Sequence, residues 1–79
     1  LSFPGTVQQS YIGPFDNGWS LSVISGEGFY SNAGANPPEY EVAVIDPNGK
    51  INYDYSKGDV LGWQTPDMID NLAERIKKI

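Results

Sequence analysis

No cysteine and no histidine occur in this chain. Without cysteine there is no disulfide to staple a small fold. Without either residue the usual ligands of a structural zinc are missing, and no metal or other cofactor is expected. The same gap removes the two commonest players in nucleophilic and general-base catalysis, so the chain does not read as an enzyme. Bases are scarce too: five Lys and Arg stand against ten Asp and Glu, a formal charge of −5. Residues 1–74 hold all ten acids and only Lys50 and Lys57, which leaves that body at −8. Direct binding to nucleic acid needs clustered Lys and Arg and is not expected. No stretch approaches the roughly 20 apolar residues of a membrane span, and no basic n-region precedes an apolar h-region. The expectation is a cytoplasmic chain with no membrane partner.

Aromatic residues, by contrast, are plentiful. Ten of the 79 residues are Phe, Tyr or Trp. A chain of this length makes one domain and buries only about 60–65% of its unfolded surface, so it cannot swallow ten rings. Some rings line a surface site or bury against another chain, and self-association into a homo-oligomer is the natural expectation.

Turn signals punctuate the N-terminus at Pro4-Gly5, Gly13-Pro14 and Asn17-Gly18. Residues 1–14 therefore read as an extended segment or edge strand, centred on Thr6–Ile12, ahead of a single α+β domain over 15–79. Trp19, Leu21 and Val23 alternate with Ser20 and Ser22, the period of a half-buried strand. Phe29–Ser31 reads as a short returning partner, and Asn32–Pro38 as a mobile loop with no large apolar anchor. Tyr40–Ile45 and Lys50–Tyr55 form the clearest hairpin, joined by Asp46-Pro47-Asn48-Gly49 as a type I turn with a left-handed glycine. Val60–Trp63 leads into a helix. Thr65 is its N-cap, Pro66 its first residue and Asp67 a first-turn acid; Met68, Ile69, Leu72, Ile76 and Ile79 make one apolar stripe. Arg75, Lys77 and Lys78 complement the helix C-terminus. The fold class is α+β: a small antiparallel sheet of three to five short strands, in meander or hairpin order, packed against one C-terminal amphipathic helix.

Four constellations compete for a function. The carboxylate pairs Asp54/Asp59 and Glu39/Glu41 could serve as acid and base, yet solvated strand and turn residues explain them equally, and a domain this small rarely forms a deep pocket. Asp46, Asn48 and Asp54 superficially imitate a calcium loop. Lys50 and Ile51 occupy the wrong places and no Glu closes the loop, so the hairpin turn is preferred. Tyr30, Tyr40 and Tyr55 adjoin loops and could form a platform, with Asn36 and Glu41 beside them, or could simply cap the sheet edges. The acidic body also permits mimicry of nucleic acid, with carboxylates standing in for phosphates.

Asp16-Asn17-Gly18-Trp19-Ser20-Leu21-Ser22-Val23, Glu39-Tyr40-Glu41-Val42-Ala43-Val44 and Asp59-Val60-Leu61-Gly62-Trp63 before a short terminal helix resemble small uncharacterised bacteriophage accessory proteins. The resemblance covers residues 15–79 and contains no functional motif. It implies a phage-encoded protein in the host cytoplasm that binds and modulates a host factor or sequesters a small molecule. The leading expectation is a non-enzymatic binding or regulatory protein, with another protein or a second copy as partner, using Tyr30, Asn36, Tyr40, Glu41 and Tyr55. The alternatives are a small-ligand binder, for example of a nucleotide, with its site at a protomer interface, and an acidic nucleic-acid mimic.

Overall fold

The computed structural model describes residues 8–52, 54 and 60–79. Four strands, β1 (Gln8–Ile12), β2 (Ser20–Ser25), β3 (Tyr40–Ile45) and β4 (Leu61–Gln64), form one antiparallel sheet in the order β1-β2-β3-β4, and the helix α1 (Pro66–Lys77) follows. The α+β architecture is the one the sequence indicates. β1 is an edge strand, paired residue for residue with β2 from Gln8–Ser25 to Ile12–Leu21. No described helix is long and apolar enough to cross a membrane.

Alternation sorts the side chains onto two faces. Register places Ile12, Leu21 and Val44 side by side, and Ser10, Val23, Val42 and Leu61 in the next row. The helix lies on this face. Leu21, Val42 and Val44 are wholly excluded from solvent, and Ile69, Leu72, Ala73 and Ile76 of α1 are buried against them. Those four helical positions follow an i, i+3, i+4, i+7 pattern, one narrow stripe. Met68 and Ile79, expected in the stripe, are exposed instead. Met68 sits about 100° around the helix from Ile69, and Ile79 lies beyond the last turn.

Both helix ends are tied down. Thr65 Oγ1 accepts from Met68 N at 3.4 Å, with Pro66 and Asp67 in the first turn, as the sequence signals require. At the other end Asn17 acts from a distance. Its Nδ2 donates to Ile76 O at 2.9 Å and to Ile79 O at 3.3 Å, while its Oδ1 accepts from Trp19 N at 3.1 Å. The connection between β1 and β2 therefore adds a side-chain donor at the helix C-terminus, to Ile76 O, which also accepts from Ile79 N at 3.2 Å, and to Ile79 O just beyond the helix. Beside it, Lys77 pairs with Glu74 at 3.2 Å and lies 5.4 Å from the Phe15 ring centre.

Two expected strands are not found among the described residues. Phe29 and Tyr30 bend after the turn at Glu27-Gly28; the chain rejoins the ladder at Asn32, which pairs with Glu39. In Lys50–Tyr55 the described residues make one bridge, Ile51 to Ile45, with Asn52 N donating to Val44 O at 2.8 Å. The place beside Val42 and Tyr40 is already taken by β4, so the returning chain cannot continue along β3. Asn52 Oδ1 accepts from Asp54 N at 3.0 Å, and Asp54 has helical backbone. Tyr53 and Tyr55–Asp59 lie outside the described residues. The turn at Asp46–Gly49 is as expected. Asp46 Oδ1 accepts from Asn48 N and Lys50 N at 2.9 and 3.0 Å, and Gly49 has φ +83°.

Candidate functional site

The face of the sheet away from the helix carries Gln9 and Tyr11 on β1, Ser20, Ser22 and Ile24 on β2, and Glu41, Ala43 and Ile45 on β3. At its β4 end the ladder is irregular. Leu61 faces Val42 and Gln64 faces Tyr40, so Gly62 and Trp63 together stand against Glu41. This is a β-bulge, which inserts a residue and re-aims the side chain it carries. Trp63 has φ +57°, the left-handed region, where an L-residue with a Cβ is strained by roughly 1–2 kcal/mol. Its ring emerges 51% exposed.

The Gly26–Ser31 excursion brings a second ring to the same place. Ser31 Oγ fastens its base, donating to Gly26 O and accepting from Gly26 N. Tyr30 N donates to Glu41 Oε1 at 3.3 Å, and Trp63 N donates to Tyr30 O at 2.9 Å. The excursion thus reaches across β3 to β4. Gly62 makes the approach feasible, because a Cβ there would stand 2.7 Å from Tyr30 Cβ. Tyr30 and Trp63 meet edge to face, with ring centres 6.3 Å apart and planes at 61°. Both remain more than half exposed, at 62% and 51%.

Of the five residues named from the sequence, Tyr30 and Glu41 are brought together here. Tyr40 is a correction. It lies on the opposite face, half-buried against the core between sheet and helix, and lines a hollow of about 270 Å³ with Ile12, Val23, Pro66, Ile69 and Asp70. Strand alternation forces this: Glu41 and Tyr40 are neighbours and so point to opposite faces. Asn36 is exposed in the loop closed by the Asn32–Glu39 pair, on the far side of that pair from Tyr30. Tyr55 lies outside the described residues. Sequence reading missed Trp63 as a surface residue. The sole local signal is Gly62-Trp63, and the bulge exists only once β4 is paired with β3.

Charge is distributed by end. Arg75, Lys77 and Lys78 in the last helical turn sit by Asn17, and Lys50 flanks the turn after Ile45, whose partner Ser20 is also near Asn17. All the described bases therefore gather at one end of the sheet. Glu27, Glu39, Glu41 and Asp67 belong to the other end, the end that carries Tyr30 and Trp63. A polar hollow of about 380 Å³ also opens there, lined by Ser25, Glu27, Ser31 and Asn32 among others and by no described base. An anionic nucleotide would find no countercharge in it. Glu39 and Glu41 share a face, while Asp59, the proposed companion of Asp54, lies outside the described residues. Among the described residues no three acidic side chains converge as a metal site would require.

Comparison with known protein families, curated proteins and solved structures finds no match to this chain.

Proposed function

We propose that this chain is a protein-binding module whose contact surface is the Tyr30–Trp63 corner with Glu41 at its rim. The observation that carries the reading is Trp63. A half-exposed tryptophan held at φ +57° by a bulge gains little for the fold that a glycine at the same place would not. Exposed Tyr and Trp are the residues enriched where binding energy concentrates, because they bury large area at low conformational cost. Glu41 fixes the Tyr30 backbone and so presets the arrangement before any partner arrives. In the setting that the phage resemblance implies, the partner is a host factor; a second copy of the chain is the other candidate.

A photoreactive benzoyl-phenylalanine in place of Trp63, compared with the same group in place of Glu74 on the exposed side of the helix, tests this reading. Discrete adducts from position 63 alone support it, and an adduct of twice the chain mass identifies a second copy. Identical adduct patterns from both positions refute it.

A further inference from the structure

We infer that the Tyr30–Trp63 corner takes a proline-rich segment of its partner in polyproline II conformation, with a Lys or Arg of that segment directed at Glu41 and Glu39. The inference rests on the protein-binding reading and adds the chemistry of the partner.

Three observations converge on it. First, strand addition at the corner is blocked. Gly62 O is occupied by Gln64 Nε2 at 3.0 Å, Trp63 N is spent on Tyr30 O, and the bulge bends the edge. A partner cannot extend the sheet there and must bind through side chains. Second, the rings meet edge to face at 61° with centres 6.3 Å apart and both are more than half exposed, so they present two apolar walls set at an angle. Among the described residues neither the Trp63 indole N–H nor the Tyr30 hydroxyl has a hydrogen-bond partner. Polyproline II is the backbone whose carbonyls are all unsatisfied internally, and its pyrrolidine rings stack on aromatic walls at little entropic cost. Donors and walls thus match a proline-rich segment better than a helix, whose carbonyls are already used. Third, the corner lies at the acidic end of the molecule: Glu27, Glu39 and Glu41 adjoin it, with no described base nearby. Charge complementarity therefore calls for a cation on the segment.

The test is a titration of the full chain, observed at the indole N–H resonance of Trp63, with three synthetic peptides. One is proline-rich with arginine, one keeps the arginine but replaces proline by glycine and serine, and one keeps proline but replaces arginine by glutamate. The first is expected to shift the Trp63 resonance saturably with a dissociation constant below about 1 mM, and the other two to bind at least about tenfold more weakly. Trp63→Ala, followed instead at the backbone amide resonances of Tyr30 and Glu41, should weaken the first peptide at least about tenfold. Glu41→Gln keeps an acceptor for Tyr30 N and should weaken it a few-fold and flatten its salt dependence. Equal binding of the glycine–serine peptide overturns the proline inference, and equal binding of the glutamate peptide overturns the cation. If no peptide moves Trp63 while the position-63 crosslinks persist, the partner chemistry is wrong and the protein-binding reading stands. If the crosslinks are also nonspecific, both fall.

Discussion

Replacing Asn17 by alanine should cost this domain about 2 kcal/mol. Three hydrogen bonds are at stake: Nδ2 to Ile76 O, Nδ2 to Ile79 O and Trp19 N to Oδ1. Each contributes roughly 0.5–1.5 kcal/mol net, and the bond to exposed Ile79 belongs at the low end because water can replace it. For a domain of this size the loss lowers Tm by about 10 °C. Asn17→Asp separates the donor from the acceptor. Its carboxylate still accepts from Trp19 N, but it presents negative charge to two carbonyls at the negative pole of α1, a further penalty of about 1 kcal/mol. Protonation turns the repulsion into a donated hydrogen bond, so the folded state holds the introduced carboxyl's pKa above its unfolded value of about 3.9. The favourable contribution is then fully present below about pH 3.9 and lost as pH rises through the folded-state pKa. Denaturant melts of both variants, each referred to the unsubstituted chain at the same pH, read this directly. Asn17→Asp should be the less stable at pH 7 and the more stable near pH 3. Wild-type stability for either variant at pH 7, or a gap between them that ignores pH, would refute the clamp.

Trp63→Gly and Trp63→Ala both remove the ring, but only glycine is unstrained at φ +57°, so the glycine variant should be the more stable by about 1 kcal/mol in chemical denaturation. Gly62→Ala puts a Cβ 2.7 Å from Tyr30 Cβ and should cost about 1–3 kcal/mol, with displaced resonances for Tyr30 and Trp63. Leu72→Asp places a carboxylate where the side chain is 1% exposed, and circular dichroism should show an unfolded chain; a folded variant would mean that α1 does not pack on the sheet. Thr65→Ala should remove about 1 kcal/mol through loss of the N-cap.

Local signals were sufficient for the helix. Thr65-Pro66-Asp67 marks its start without any knowledge of the sheet, and Ile69, Leu72 and Ile76 declare its inner face. The stripe was drawn too wide at its ends, since Met68 and Ile79 match in hydropathy but not in angle, while small Ala73 faces the sheet unnoticed. The strand over Lys50–Tyr55 shows the opposite limit. Ile51, Tyr53 and Tyr55 alternate as a strand should, yet whether a strand forms depends on a vacancy beside β3, and β4 fills that vacancy from later in the chain. The candidate site was half legible for the same reason. Glu41 and Tyr30 could be picked out as polar and aromatic residues near turns, whereas Trp63 is turned outward by a mismatch between two strands some 20 residues apart. Tyr40 falls outside the corner because strand parity separates it from Glu41.

The Tyr30–Trp63 end carries Glu27, Glu39 and Glu41 with no described base, whereas at the other end Arg75, Lys77, Lys78 and Lys50 are offset by Asp16, Asp46 and Glu74, so the unbalanced negative charge lies at the aromatic corner. In the field of a cationic partner such a body is turned before it touches, so encounters arrive acid-end first and fewer are wasted. Added salt should therefore slow association far more than it hastens dissociation.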